Sequence, residues 1–175
     1  MDKKKQIIEV VPYDPNWMMQ FRDEASLITP LLGDNFVAIH HIGSTSVPGL
    51  VAKPTIDMIL EVNDIELIDA CNDRMSVLGY EAWGEYHMPG RRFFLKGDEK
   101  RTHHIHTFQT GSFEIARHLY VRDYLKTHPE EVRAYADLKI QLAHQFAHDR
   151  KRYVLAKADF VKALEYRAIE WGKTL

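Results

Sequence analysis

The chain has 175 residues, of which 45% are hydrophobic and 27% are charged, and its formal net charge is −2. This length and composition suit one globular domain with a hydrophobic core, which we expect to span residues 1–175. The near-neutral charge argues against a general DNA- or RNA-binding protein. The single cysteine, Cys71, excludes an internal disulfide and a cysteine-rich zinc site, and it is expected in the core.

The sequence also carries no signal for a membrane or for export. No apolar run approaches the roughly 18 residues that a membrane span requires. The first ten residues, MDKKKQIIEV, are basic but lack an apolar segment before a cleavage site. We therefore expect a cytoplasmic protein without membrane contacts, whose oligomeric state the sequence leaves open.

The predicted elements alternate in type along the first half of the chain. A helix is expected to begin near Asp14, which can cap its free amides, and to kink or break at Pro30. Strands follow at 36–42 and 55–62, then a helix at 63–79 and three short β-type runs at 80–86, 91–97 and 102–108. Three helices fill the rest, at 112–128, 129–148 and 149–172. This order predicts an α+β fold, a mixed β-sheet with packed helices and a helical C-terminal part.

The connection between the first two strands, GSTSVPGLVAKP (43–54), is unusually polar. Gly43 allows the backbone to turn, and Ser44, Thr45 and Ser46 supply hydroxyls and amides that suit phosphate oxygens. The Gly-Lys-Ser/Thr ending of a Walker loop is missing. The alternative is a polar turn whose hydroxyls satisfy their own backbone.

Asp57 lies inside the apolar run TIDMIL, at the beginning of the second strand. An ionised carboxylate in such a place is costly unless it is paired or binds a cation. Lys53, at the entrance to the same strand, is a candidate ligand for an anion at the loop. The alternative is a structural pair between Lys53 and Asp57.

Histidines provide candidate metal ligands and a candidate proton carrier. His104 and His106 are two residues apart and therefore share one strand face, where they could bind a divalent metal with Asp57. The alternative is a hydrogen-bonded histidine pair without a metal. Only one of His40 and His41 can face the loop, and we expect it to be His41, whose alternative role is to orient the loop.

Lys139 and Lys157 fall inside apolar helical stripes of the last two helices. Together with Arg122, they suggest a shared anionic target, which Arg91 and Arg92 could join from the sheet. The alternatives are lysines that extend their amines to water, and internal ion pairs with Asp57, Asp123 or Glu61.

The stretch HIGSTSVPGLVAKPTID (41–57) resembles the GrpB family, a bacterial family assigned to the nucleotidyltransferase fold. Other stretches resemble family segments in the family's order, so that the resemblance covers roughly residues 8–170: VPYDPNWMMQF, LGYEAWGE, PGRRFF, THHIHTF, RDYLKTHPE, YADLKIQLA and DRKRYVLAKADF. It implies a nucleotidyltransferase-like mixed sheet in which the Gly-Ser loop holds nucleotide phosphates. It also implies that Asp57 binds a divalent ion, Mg²⁺ or Mn²⁺, or Zn²⁺ with the histidines. Relatives of the family domain occur fused to dephospho-coenzyme A kinase, which suggests coenzyme A or nucleotide metabolism.

One position departs from the superfamily's usual pattern. Active members carry a second acid two residues after the first, where this chain has Ile59. Glu61 shares the strand face of Asp57 but lies about 13 Å further along the strand.

We therefore keep two hypotheses for a nucleotide or phosphorylated ligand. The first is metal-assisted nucleotidyl or phosphoryl transfer with Asp57 and His41 as catalytic residues, and the second is a non-catalytic binding module. A metal-dependent hydrolase built on the histidine pair is a third hypothesis.

Overall fold

The structure is a computed structural model that describes residues 7–175; residues 1–6, the start of the expected domain, lie outside the described residues. Helices α1 to α5 span Asn16–Ile28, Asn72–Val77, Phe113–Thr127, Pro129–Gln145 and Arg150–Gly172. Strands β1 to β5 span Phe36–Ile42, Ile56–Val62, Tyr80–Ala82, Arg92–Lys96 and His103–Gln109. None of the helices within residues 7–175 is long and apolar enough to cross a membrane.

The five strands form one mixed sheet in the order β1-β2-β5-β4-β3. Only β2 and β5 are parallel, and their register places Asp57 beside His104. Strand β1 runs antiparallel to β2, with Ile42 opposite Asp57. Because residues directly opposite each other project from the same face, Ile42, Asp57 and His104 lie on one side of the sheet. The α+β fold with a mixed sheet and a helical C-terminal part is confirmed.

Each face of the sheet buries its own apolar set. One face carries Met58, Leu60 and Ile105, which pack with Trp17 and Ile28 of α1. The opposite face, which holds Asp57, is covered by the C-terminal helices through a second set of buried residues: Ile42, Ile59, Phe108 and Ile115. The C-terminal helices also pack on one another and on the loop after β1. The polar connection 43–54 therefore lies between the sheet edge and the helices α3–α5.

Helix α1 ends where the sequence indicates. It stops at Ile28, and Thr29–Leu31 around Pro30 forms a short 3₁₀ turn, which confirms the expected break. Asp14 accepts a hydrogen bond from the amide of Asn16 at 2.9 Å, as expected of a helix-capping residue.

The segment 63–79 differs from its prediction as one α-helix. Residues Ile65–Cys71 form a 3₁₀ helix, and only Asn72–Val77 is α-helical. Ile65, Ile68 and Cys71 are buried, and their spacing of three residues aligns them on one face at three residues per turn. The core thus favours the tighter helix, and it contains Cys71 as expected.

The predicted β-type run at 80–86 is also shorter than expected. Its strand ends at Ala82, because the chain enters a turn in which Tyr86 and His87 have positive φ angles of 43° and 64°. Such angles are rare for side chains other than glycine and end regular pairing.

Candidate functional site

The loop after β1 turns tightly against strand β2. Gly43 has φ +71°, and a Cβ atom there would lie 3.0 Å from Oδ2 of Asp57, so only glycine fits without strain. The chain then forms a 3₁₀ turn at Ser44–Ser46. The Ser46 hydroxyl donates to the carbonyl of Gly43 at 2.5 Å, so this serine holds the turn rather than facing a ligand.

A cavity of about 380 Å³ opens beside this loop. Its walls come from the loop, from β2 and β5, from α4 and α5, and from residues 7–10. The N-terminal wall is held by the Ile8 amide, which donates to Ala147 O at 2.8 Å, and by pairing of Val11 with Ala52. Among the residues that the sequence predicts for the site, seven line the cavity: Ser44, Thr45, Lys53, Asp57, His104, Lys139 and Lys157.

Asp57 is paired at the cavity wall. Its Oδ1 lies 3.0 Å from Nδ1 of His104, and the two side chains are 30% and 23% exposed. The ion pair with Lys53, weighed as an alternative, is not formed within 4 Å among the described residues. The carboxylate that seemed unsupported in an apolar strand is therefore stabilised by its neighbour on β5.

Lys139 lies at the deep end of the cavity and is only 5% exposed. Its ammonium donates to Oγ of Ser44 and, at 3.2 Å, to the carbonyl of Val51, and it lies 4.4 Å from the Tyr135 ring centre. Burial, with the nearby charge of Lys157, lowers the pKa of Lys139 to about 7, while Asp57 opposes that shift. Its cationic form is therefore poorly compensated in this structure.

Three more cations face the cavity: Lys53, Arg150 and Lys157. Within residues 7–175, none of them forms an ion pair within 4 Å with a carboxylate. Lys157 lies 4.9 Å from the Tyr153 ring centre, and burial lowers its pKa. Burial likewise lowers the pKa of Lys53. Since lowering a lysine pKa means that the charged form is disfavoured, an anion in the cavity would relieve this cost.

Sequence reasoning missed several cavity residues. Arg150 and Tyr153 precede Lys157 by seven and four residues, so all three lie near one helical face, a spacing that could have revealed them. Tyr135 precedes Lys139 by four residues on α4, which is the same kind of signal. The sequence carried no signal that would have assigned the residues of the N-terminal wall and of the turn before α5 to the cavity: Ile7, Ile8, Glu9, Val10 and His148.

His41 does not face the cavity, contrary to its expected catalytic position. It lies opposite Met58 and therefore on the other face of the sheet, where it stacks on Phe21 with ring centres 4.9 Å apart. Its Nε2 lies 2.9 Å from Oγ1 of Thr45. Burial lowers the pKa of His41 to about 4, so the ring is neutral and orients the loop.

His106 lies apart from the cavity. Its ring is between Phe93 and His118, and its Nδ1 accepts a hydrogen bond from Arg91 at 3.3 Å. Burial lowers the pKa of His106 to about 4. Across residues 7–175, no three His, Cys, Asp or Glu side chains are grouped so that they could hold one metal ion. The predicted ligand set of Asp57, His104 and His106 is therefore not assembled.

Two predicted phosphate-binding arginines are engaged elsewhere. Arg92 pairs with Asp69 at 2.9 Å and with Glu66 at 3.4 Å, away from the cavity. Arg122 pairs with Asp123 at 2.7 Å and donates to the carbonyl of His41 at 3.2 Å. The pair of Arg122 with Asp123 is one of the internal ion pairs that the sequence left as an alternative. The partners of Arg92 were not among those expected from the sequence.

The position of the missing second acid is filled by the core. Ile59 is fully buried among apolar residues between the sheet and α3. Glu61 accepts a hydrogen bond from the Thr110 hydroxyl at 2.5 Å and lies 3.5 Å from Nε2 of His40. Asp57 is thus the carboxylate that β2 presents to the cavity.

Comparisons with known proteins agree on one family. The family model described as GrpB protein matches residues 7–167. The UPF0157 protein YqkA of Bacillus subtilis is 41% identical over 97% of the chain, and the chain spans only 49% of that relative's length. A dephospho-CoA kinase of Mycobacterium leprae is 25% identical over 93% of the chain and 46% of its own length.

A solved structure extends the similarity to three dimensions. The crystal structure of conserved protein GrpB from Enterococcus faecalis is 40% identical and superposes with a TM-score of 0.89, covering 93% of this chain and 98% of that one. Sequence and fold therefore agree over nearly all of the described residues. The chain belongs to the GrpB family.

Proposed function

We propose that this chain binds a nucleotide or another phosphorylated small molecule in the cavity beside Gly43–Ser46. The observation that carries the proposal is that Lys53, Arg150 and Lys157 line the cavity without a carboxylate ion pair in residues 7–175. Converging cations in a cleft raise the local concentration of anions. Their hydrogen bonds to phosphate oxygens are charge-assisted and stronger than neutral ones.

The size and lining of the cavity suit such a ligand. A volume of about 380 Å³ lies within the range of small-molecule sites, about 300–1,000 Å³. The same cavity is lined by two tyrosine rings and by the apolar side chains of Ile8, Val10 and Val154, which offer contacts for an uncharged group such as a nucleobase. Glu9 and Asp57 supply acceptors for hydroxyl or amino groups.

The sequence resemblance to the nucleotidyltransferase pattern is part of this proposal. The Gly-Ser loop after β1 and Asp57 in β2 resemble the phosphate loop and the first acid of that pattern. The relative named dephospho-CoA kinase, about half of which is covered by this chain, fits coenzyme A or nucleotide metabolism. The proposal includes a cytoplasmic site of action, where such metabolism would supply the ligand. This support is fold-level association and ranks below the geometry of the cavity.

Metal-assisted nucleotidyl or phosphoryl transfer is the second candidate, favoured by the placement of Asp57 and His104 together at the cavity. The side chains present do not fit a two-metal site, because Ile59 fills the second-acid position and His106 is held by Arg91. Ligand binding is therefore favoured over metal-assisted transfer.

Calorimetric titration and thermal melting with ATP, ADP, pyrophosphate and orthophosphate test the proposal. Each ligand is measured in EDTA and again with Mg²⁺, Mn²⁺ or Zn²⁺. A ligand present at 100 times its Kd stabilises the fold by about 2.7 kcal/mol, which raises the Tm of a chain of this size by about 5–10 °C. We expect at least one probe to do so in EDTA. Failure of all four probes under every metal condition would overturn the proposal.

A matched pair of variants on α5 tests whether the ligand binds in this cavity. Lys157→Met removes one charge-assisted contact and is expected to weaken binding by about 10–100-fold, the equivalent of about 1.5–3 kcal/mol. Lys162→Met is the control, since Lys162 is exposed on the same helix and does not line the cavity. Equal affinities of the two variants would place the ligand elsewhere. Binding that requires a metal and is lost in Asp57→Asn would instead favour the transferase candidate.

A further inference from the structure

Ser44 lies between two cavities. It lines the larger, cationic cavity and also a smaller one of about 100 Å³. The smaller cavity is mostly apolar, and Tyr135 also lines both. Its apolar walls come from the loop and from α3 and α5: Val47, Val121, Leu125, Val161 and Leu164. Arg122 and Glu165 are the charged residues at this smaller cavity. The Ser44 hydroxyl is thus next to a cationic cavity on one side and a small, mostly apolar cavity on the other.

Lys139 is placed to act on that hydroxyl. Its Nζ is hydrogen-bonded to Oγ of Ser44, and the carbonyl of Val51 and the ring of Tyr135 fix its position from the other sides. No ion pair within 4 Å commits Lys139 to a carboxylate of residues 7–175. Because burial lowers its pKa to about 7, a substantial fraction of Lys139 is a neutral amine at neutral pH, unlike an ordinary lysine.

We propose that Ser44 is a covalent nucleophile for short acyl groups and that Lys139 is its general base. The inference rests on the proposed function, because the cationic cavity would hold the phosphorylated part of the acyl donor. The substrate class is a short-chain acyl ester or thioester of a phosphorylated carrier, with the acyl chain in the small apolar cavity.

The step balances with groups that the site and solvent supply. The Oγ–H proton of Ser44 passes to the neutral amine of Lys139, and Oγ forms a bond to the acyl carbonyl carbon. The bond from that carbon to the carrier breaks, and the carrier leaves with the electron pair and the proton from Lys139. Water then attacks the acyl-serine by the same route in reverse and releases the acid.

Covalent labelling with a fluorophosphonate tests the nucleophile without requiring the natural substrate. We expect an adduct on Ser44 by peptide mapping and none on that peptide in Ser44→Ala. Lys139→Met should slow labelling by about 100-fold or more, the usual contribution of a general base. Lys139→Arg should not restore it, because a guanidinium stays protonated. Lys162→Met should label like the wild type.

The pH profile separates a base from a merely structural lysine. Charged or titratable groups that line the cavity with Lys139 come from residues 7–10, the loop, β2, β5, the turn before α5 and α5: Glu9, Lys53, Asp57, His104, His148, Arg150, Tyr153 and Lys157. Labelling should rise with pH to a plateau with a midpoint near the Lys139 pKa of about 7. Lys157→Met should move that midpoint upward, since it removes a like charge. Equal labelling rates in wild type and Lys139→Met would overturn the role of Lys139.

Substrate class is tested with p-nitrophenyl butyrate and p-nitrophenyl decanoate. We expect an acyl adduct on Ser44 from the butyrate and at least 10-fold slower acylation by the decanoate, which exceeds the small cavity. Saturating ATP or pyrophosphate, whichever binds, should slow labelling because it occupies the adjoining cavity. No adduct on Ser44 from any probe, with ligand binding intact, would overturn this inference and leave the proposed function standing. An adduct without any ligand binding would overturn the proposed function and the phosphorylated donor.

Discussion

Two polar clusters lie on the same face of the sheet, and they differ in how their cations are used. In the cavity, Lys157 and Lys53 face open space without an ion pair in the described residues. In the second cluster, Arg91 donates to the carbonyls of Tyr86 and Glu85, at 2.6 and 3.3 Å, and to Nδ1 of His106. The Arg91 guanidinium also lies 4.6 Å from the Phe93 ring centre, so that the cation of this cluster is engaged by groups of the protein itself.

The difference shows why buried cations alone do not identify a site. Arg91 is 7% exposed, close to the 5% of Lys139, but its hydrogen bonds hold the 83–91 turn, in which two residues other than glycine have positive φ angles. Within residues 7–175, the side chains of Lys53 and Lys157 donate no hydrogen bond that holds an element of the fold, unlike Lys139, which bonds to Ser44 and Val51 of the loop. We therefore expect changes in the second cluster to alter stability, and changes at Lys53 or Lys157 to alter binding.

The largest expected effect comes from replacing each cluster's cation with methionine. Arg91→Met removes the donor of the Tyr86 carbonyl and of Nδ1 of His106, and it should cost about 3–4 kcal/mol, or roughly 10 °C in Tm. Lys157→Met removes a partly buried charge that has no ion pair among the described residues and should leave the unfolding free energy within about 1 kcal/mol of the wild type. Urea unfolding measures the unfolding free energy of both variants. A larger loss of stability in Lys157→Met than in Arg91→Met would show that the cavity cation, and not Arg91, holds the fold.

Acid should weaken the second cluster through His106. Because its folded pKa of about 4 lies below the ordinary value of 6.5, the unfolded chain binds a proton first as the pH falls. The contribution of neutral His106 is complete above pH 6.5 and is lost as the pH falls from 6.5 to 4. It amounts to about 3 kcal/mol at most.

The measurement is urea unfolding of wild type and His106→Gln at several pH values between 7.5 and 4. The variant should lose less stability over this range than the wild type. His41→Gln is a useful comparison, because burial lowers the pKa of His41 in the same direction. If the unfolding free energies of wild type and His106→Gln fall in parallel with pH, protonation of His106 is not the cause of the acid sensitivity.

The smallest expected effect tests the loop that borders the cavity. Gly43→Ala must adopt a positive φ angle and also place Cβ 3.0 Å from Asp57, so we expect a loss of about 2 kcal/mol and weaker ligand binding. Gly49→Ala has the same kind of backbone angle but no atom within 4 Å of the added Cβ, so it should cost about 1 kcal/mol and leave binding unchanged. Thermal melting and calorimetry compare the two, and equal losses would show that Asp57 accommodates the methyl group.

Much of the fold follows from local signals in the sequence. The break at Pro30, the polar loop after β1 and the three C-terminal helices are all read from spacing and turn residues. The 3₁₀ helix at Ile65–Cys71 is not, because both helix types share similar apolar spacing and only core packing chooses between them.

The residues of the cavity also divide into those that the sequence predicts and those that only packing decides. The position of Lys139 and Lys157 in apolar stripes indicated that two helices direct cations toward one place, and the structure places both at the cavity. Arg92 and Arg122 carried the same charge signal, yet both are engaged in ion pairs. Arg122 pairs with its chain neighbour Asp123, a partner that the sequence already offered, whereas Arg92 pairs with Asp69, 23 positions away. The distance between Arg92 and Asp69 along the sequence does not report that they are partners.

The sequence by itself determined the family resemblance, the Gly-Ser loop, and the presence of Ile59 where the superfamily pattern has a second acid. These features depend only on residue identity and order. Only the tertiary structure decided which histidine faces the cavity, since strand pairing sets the face: His104 lies beside Asp57, while His41 projects to the other side. It also brought Ser44 against Lys139, 95 positions apart. Chemistry of this kind arises where the sheet and the C-terminal helices pack together, and no local pattern encodes that contact.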